Sequence, residues 1–149
     1  MPFRFSLQAV LRCRKSFERR ERQRLEAITR ELFKAQQQRE QVKLSRANAL
    51  SQMQKKLRQG MTAGEMQFEL ACDRAHVRRI AVWYEQVAKL EDLRRRQLEI
   101  FRKAQQQHKI LENLREQQLA AYRLVQARRT QQAIDDRFVI THARQFPNS

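Results

Sequence analysis

The sequence predicts an all-α fold, two long helices forming an antiparallel coiled-coil hairpin, with the second helix the longer. Three observations carry this expectation. Among 149 residues there are only 2 Gly and 2 Pro, so the chain has few places to turn. The composition is rich in Gln, Arg, Leu, Ala and Glu, with 32% of residues charged, which suits long helices and coiled coils. Apolar residues also recur at three- and four-residue steps over most of the chain, the spacing of one helical face. A β-sandwich, a doubly wound α/β domain and a short-helix bundle all need more turns than this chain can make. Net charge of +16 and low mean hydropathy favour disorder. The periodicity opposes it.

The first helix is expected over about residues 5–59. Pro2 precedes it, and nothing from residue 3 to residue 59 must break a helix. Its seam runs through Leu25, Ile28, Leu32, Ala35, Arg39, Val42, Arg46, Ala49 and Met53. Extended backwards, it passes Glu21, Glu18, Arg14, Leu11 and Leu7. The connection is expected at about residues 60–64. Gly60 suits the left-handed position after a helix end, and Thr62 with Glu65 has capping-box spacing.

The second helix is expected over about residues 65–142. Its ladder runs through Leu90, Leu93, Gln97, Ile100, Ala104, Gln107, Leu111, Leu114, Gln118, Ala121 and Val125, with a second apolar row at Leu98, Phe101, Leu119 and Tyr122. Pro147 lies beyond it. With the turn near residue 62, position i should face roughly position 124 − i. At 1.5 Å per residue the helices would be on the order of 80 and 115 Å long, leaving roughly twenty C-terminal residues beyond the first helix. The whole chain, 1–149, is read as one hairpin.

This architecture has a seam and no cavity, so a buried active site is not expected. His76, His108 and His142 lie about thirty residues apart, without metal-ligand spacing, and are read as surface or seam residues. Asp135-Asp136 diverge by about 100° on a helix, which is poor geometry for shared acid–base work. There is no P-loop or H-E-x-x-H motif. We therefore expect a protein that is not an enzyme and uses no cofactor or metal. Cys13 and Cys72 fall at opposite ends of the hairpin and are expected to stay unpaired in a reducing cytoplasm. The longest apolar run, Ile80–Tyr84, is far short of a membrane span, and Arg4 and Arg12 interrupt any secretory signal.

The charge is uneven. Residues 1–59 carry 16 bases and 5 acids, and residues 60–149 carry 16 bases and 11 acids. Such a surface attracts polyanions, acidic proteins or anionic lipid headgroups. Specific nucleic-acid binding is not expected, because stacking aromatics are sparse and the basic stretch lies on one arm of a hairpin.

Two apolar groups stand out. Phe3, Phe5, Leu7, Val10 and Leu11 crowd the first helix start, and Phe138, Val139, Ile140 and Phe146 crowd the other terminus. Either the two groups pack together, or they form an exposed end that another protein captures. Near the turn, Phe68, Cys72, Ala75 and Arg79 share one helical face. Part of that row belongs to the seam and part offers a partner patch.

The opening Phe3-Arg4-Phe5-Ser6-Leu7-Gln8-Ala9-Val10-Leu11-Arg12-Cys13-Arg14-Lys15 resembles the N-terminus of the FliJ family of flagellar export proteins. The single glycine-bearing turn, the longer second helix and Ala133-Ile134-Asp135-Asp136 agree with that family, although Asp136 stands where Glu is common. The resemblance implies a two-helix stalk and chaperone escort of the bacterial flagellar type III export apparatus, cytoplasmic and peripherally associated with the inner membrane. Its implied partners are the flagellar export ATPase hexamer, the cytoplasmic domain of the export gate, and substrate-specific export chaperones. Carried onto this chain, ATPase-ring contacts would be Leu7, Val10, Leu11, Arg14, Ile134, Asp135 and Phe138, at paired termini. The gate or chaperone patch would be Phe68, Cys72, Ala75 and Arg79. Two alternatives are an equivalent stalk of a virulence-type secretion injectisome and a basic coiled coil that binds nucleic acid or anionic membrane.

Overall fold

The structure is a computed structural model and describes residues 2–146; Pro147 lies outside the described residues. Two helices account for most of it, α1 (Gln8–Gln59) and α2 (Ala63–Gln145), packed antiparallel. The described residues contain no strand.

The connection is shorter than the sequence suggests. Gly60 has φ of +105°, a backbone conformation that costs a side chain-bearing residue dearly. Thr62 then caps α2. The Glu65 amide donates to Thr62 Oγ1 at 3.2 Å, and the Thr62 amide donates to Glu65 Oε2 at 3.4 Å. This reciprocal box makes Ala63 the first helical residue, so α2 starts two residues earlier than expected. At the other end α2 reaches Gln145 rather than 142, and the Phe146 amide still donates to the His142 carbonyl at 3.0 Å. The first helix starts at Gln8 rather than 5. Its first turn is set by the Gln8 amide donating to the Phe5 carbonyl, while Phe5 itself is buried.

The chain divides into two compact units, one of the described parts of Met1–Glu18 and Ala104–Ser149, the other of Arg19–Lys103. In the second unit, Leu32, Ala35 and Val87 form the buried cluster, with Trp83 and Leu90 packed against it. Arg39 and Lys43 both lie over the Tyr84 ring, at 4.9 and 4.8 Å, and Arg22 lies over Phe101 at 5.5 Å. Lys56 pairs with Glu69 at 3.3 Å near the turn. Pairs 22/101, 39/84 and 56/69 all follow the expected register to within one residue.

Polar side chains also occupy this seam. Glu21 is only 2% exposed. Arg24 Nη1 reaches its Oε1 at 2.9 Å, and Gln97 Nε2 donates both to its Oε2 and to its backbone carbonyl, at 3.2 Å for the latter. A buried carboxylate is tolerated because these donors replace water.

In the first unit, Phe5, Leu11 and Ala104 are buried, and the Phe3 and Tyr122 rings meet at 5.6 Å. Glu18 is buried there and accepts the His108 Nδ1 contact at 2.5 Å, with Glu112 at 3.9 Å from Nε2. His108 is therefore a seam residue.

The α1 seam follows its ladder closely. Every ladder position from Leu11 to Met53 is buried or half-buried. The α2 ladder needs correction. Leu93, Ile100 and Val125 are exposed, as are Gln107, Gln118 and Ala121. The contact line instead passes through Leu98, Phe101, Ala104, His108, Leu111, Leu119 and Tyr122. A repeated 3-4 step drifts around a helix of 3.6 residues per turn, and α2 carries a second apolar row for the seam to move onto.

The two glycines predict opposite substitution effects. Gly60→Ala places a side chain at positive φ and should lower unfolding stability by about 1 kcal/mol or more. Gly64 lies in the first turn of α2, with open space where a methyl group would sit, so Gly64→Ala should be neutral or stabilising by up to ~1 kcal/mol. Urea unfolding of the two variants measures the difference.

Candidate functional site

With so thin a contact line, the surfaces left for an outside partner are the apolar rows that the opposing helix does not cover. Among the residues expected at the chain ends, Leu7 and Val10 are exposed, while Leu11 is 8% exposed and belongs to the seam. Leu11 therefore holds the two helices together and presents little to an outside partner. Arg14 is half-buried, and its Nη1 donates to Gln107 Oε1 at 2.6 Å.

On α2, Ile134 is exposed, and Phe138 is 71% exposed. The Phe138 ring stacks on His142 at 6.1 Å, and His142 lies against Phe146 at 5.0 Å. Asp135 accepts from Gln131 Nε2 at 2.9 Å, one turn earlier on the same helix. Every described residue from 127 onward is exposed.

These two groups do not meet. The N-terminal segment ends its contacts around Tyr122, and sixteen residues of helix, about 24 Å, separate Tyr122 from Phe138. The residues carried over for a ring contact therefore fall in two patches, as the expected projection of α2 beyond the first helix implies. One is made of Leu7, Val10 and Arg14 beside α2, and the other is an uncovered helix carrying Ile134, Asp135 and Phe138. The reason is helix length: α2 has 83 residues and α1 only 52, and the excess falls at the C-terminal end.

Near the turn, Phe68 is 68% exposed, and Ala75 and Arg79 are exposed beside it. Cys72 is half-buried on the same row. The adjacent seam positions are Glu69, Asp73, His76 and Ile80. The row therefore flanks the seam and remains largely open. Both cysteines are free. Asp73 anchors this segment to α1, with Arg46 Nε donating to Oδ1 at 2.8 Å and Nη2 to Oδ2 at 3.5 Å. The Arg46 guanidinium, bonded to both oxygens, holds the Asp73 carboxyl below its usual range.

One surface escaped the sequence reading. Phe33 and Leu44, both exposed on α1, border a shallow groove with Gln36, Gln37, Glu40 and Gln41. Eleven residues is three helical turns, so their spacing was the available signal. Among the described residues no cluster of His, Cys, Asp or Glu could hold a metal ion, and no helix is long and apolar enough to cross a membrane.

The Arg46–Asp73 pair predicts a pH signature. The folded carboxyl titrates below the unfolded one, so the pair contributes stability above about pH 4, the unfolded value. That contribution is lost as pH falls through the folded pKa. Asp73→Asn lacks it throughout. The stability gap between wild type and variant should therefore be widest near neutrality and close on acidification below about pH 4. Denaturant midpoints measured across that range check this; a constant gap would contradict it.

A family model described as Flagellar FliJ protein matches residues 3–146, nearly the whole chain. No curated protein and no solved structure matches it. The match spans both helices, the turn and both candidate patches, and the fold beneath it is the two-helix hairpin, so the chain belongs to the FliJ family.

Proposed function

We propose that this chain is a non-enzymatic stalk and chaperone-escort component of bacterial flagellar type III protein export. In this reading it promotes assembly and activity of the export ATPase ring and couples the ring to the export gate. It works in the cytoplasm, at the cytoplasmic face of the inner membrane. Family membership supports a role in flagellar export and favours the flagellar system over the injectisome alternative. The observation that carries the mechanical part is the uncovered end of α2, where Ile134 and Phe138 expose apolar side chains on a helix that α1 leaves bare.

The physics of such a contact is helix-in-groove docking. An apolar helical row inserts where a ring of subunits offers complementary surface, and the polar faces stay wet. Ile134 and Phe138 would supply the buried area, with Asp135 and Arg14 as charged contacts at its margin. Leu7 and Val10 would extend the apolar surface, and Leu11 would act indirectly by fixing α1 against α2. Phe68, Cys72, Ala75 and Arg79 are our candidates for the contact with the export gate's cytoplasmic domain or with export chaperones. These four residues belong to the Arg19–Lys103 unit and Phe138 to the other, so the two contacts share no residue.

A second reading rests on the charge. A net +16 favours nonspecific binding to nucleic acid or anionic membrane. It predicts steep loss of binding with salt and indifference to Phe138.

The deciding experiment titrates the cognate flagellar export ATPase with this protein at physiological salt and measures ATP hydrolysis. Wild type should stimulate. Ile134→Gln with Phe138→Gln should remain helical by circular dichroism and require roughly ten- to a hundredfold more protein for the same stimulation, the scale of one or two lost apolar side chains. Absence of stimulation by wild type would overturn the stalk reading. Equal stimulation by the variant would overturn the contact assignment.

A further inference from the structure

The uncovered stretch of α2 has an internal symmetry that the export contact does not use. Around Gln132 the sequence reads outward as Arg129 and Asp135, Arg128 and Asp136, Val125 and Val139, Leu124 and Ile140. Bases lie on one side and acids on the other, at equal distances, with apolar pairs beyond them. At about 100° per residue, Val125, Gln132 and Val139 lie on one line along the helix, with Arg128, Arg129, Asp135 and Asp136 flanking it. Ile134 and Phe138 point to other faces. Val125 and Val139 are exposed, and among the described residues Arg128, Arg129 and Asp136 make no ion pair.

We infer that this face of α2 is a self-association surface, which pairs with the same face of a second copy of the chain in antiparallel orientation about a two-fold axis near Gln132. Antiparallel pairing sets Val125 against Val139 of the second copy. It sets Arg128 beside its Asp135, and Arg129 beside its Asp136. Each contact occurs twice, as a two-fold interface requires. Parallel pairing would place arginine beside arginine and aspartate beside aspartate, which the charges oppose. Farther out, Ala121 meets Ala143, small residues that allow the helices to approach. The shared stretch is about 33 Å, or roughly three heptads, so the dimer should be concentration-dependent and not permanent. The ring contact proposed above draws its apolar area from Ile134 and Phe138 and shares only Asp135 with this surface. The charge variants below leave Asp135, Ile134 and Phe138 unchanged, so failure of one reading is distinguishable from failure of the other.

Light scattering of the full chain over a range of concentrations provides the test. Wild-type mass should rise from 18.0 kDa toward twice that value. Asp136→Arg and Arg129→Asp should each raise the dissociation constant by about tenfold, because each turns two attractive contacts into repulsive ones. An equimolar mixture of these two variants should regain the dimer, since one chain then carries only bases and the other only acids at the paired positions. Ile134→Gln should leave association unchanged. A wild-type mass fixed at 18.0 kDa would overturn the inference. So would a dimer indifferent to both charge variants, failure of the mixture to recover, or loss of the dimer in Ile134→Gln.

Discussion

Two helices in contact share a single line, and most features of this protein follow from that restriction. A three-layered domain can bury a polar group among many neighbours and correct a misplaced one elsewhere. Here each seam residue meets only the few residues opposite it. Glu21 illustrates the consequence. Its carboxylate is buried, and its partners are Arg24 one turn along α1 and Gln97 on α2. Sliding one helix past the other by a single residue would remove Gln97 and leave the buried carboxylate with Arg24 alone, a loss on the order of 1–3 kcal/mol for an unmade buried hydrogen bond. An apolar pair would tolerate the slip. Polar residues in the seam therefore specify alignment more than they add stability, which is their best-attested role in coiled coils. Glu18 with His108, in the other unit, follows the same logic.

Alignment matters because the turn offers no freedom to adjust it. Gly60 at positive φ and the Thr62–Glu65 box leave three residues between the helices. With the connection fixed, the unequal lengths of α1 and α2 decide where the excess helix falls. It falls beyond Tyr122, where the N-terminal segment ends its contacts. Within the unit that holds both chain ends, the part of α2 left bare beyond Tyr122 includes the exposed Phe138 and the symmetric stretch around Gln132.

Much of this was legible in the sequence, and unevenly so. The α1 ladder could be read off because its 3-4 row keeps its place through charged interruptions such as Arg39 and Arg46, even though Phe33 and Leu44 lie off it. The capping box was equally plain, since its two side chains bond the backbone locally and need no information about the partner helix. The α2 seam was not, because Leu93 and Ile100 compete with Leu98 and Phe101 on a neighbouring row, and only the position of α1 decides between them. The same ambiguity affects the candidate site. Leu11 shares its hydrophobic character with Leu7, and helical spacing alone cannot tell that Leu11 turns inward while Leu7 stays exposed. The projection of α2 past the first residues of the chain was legible, because the turn position and the helix bounds together leave roughly twenty C-terminal residues beyond α1.

The uncovered end of α2 departs from the rule that governs the rest of the seam. Elsewhere the contact line is covered by the opposing helix, in apolar stretches such as Leu32 and Ala35 with Val87 and in polar ones such as Glu21 with Gln97. Beyond Tyr122 the pattern of apolar and charged residues continues at helical spacing without a partner from α1. A segment whose role was only to stay soluble would replace Val125, Ile134, Phe138 and Val139 with polar residues, since exposed apolar side chains gain nothing in water. That they persist on two separate faces, one bearing Ile134 and Phe138 and the other a balanced set of bases and acids, argues for two different occupants. The first face carries the exposed apolar pair Ile134 and Phe138 and suits a groove in another protein. The second carries its own complement, and the surface that best fits it is itself.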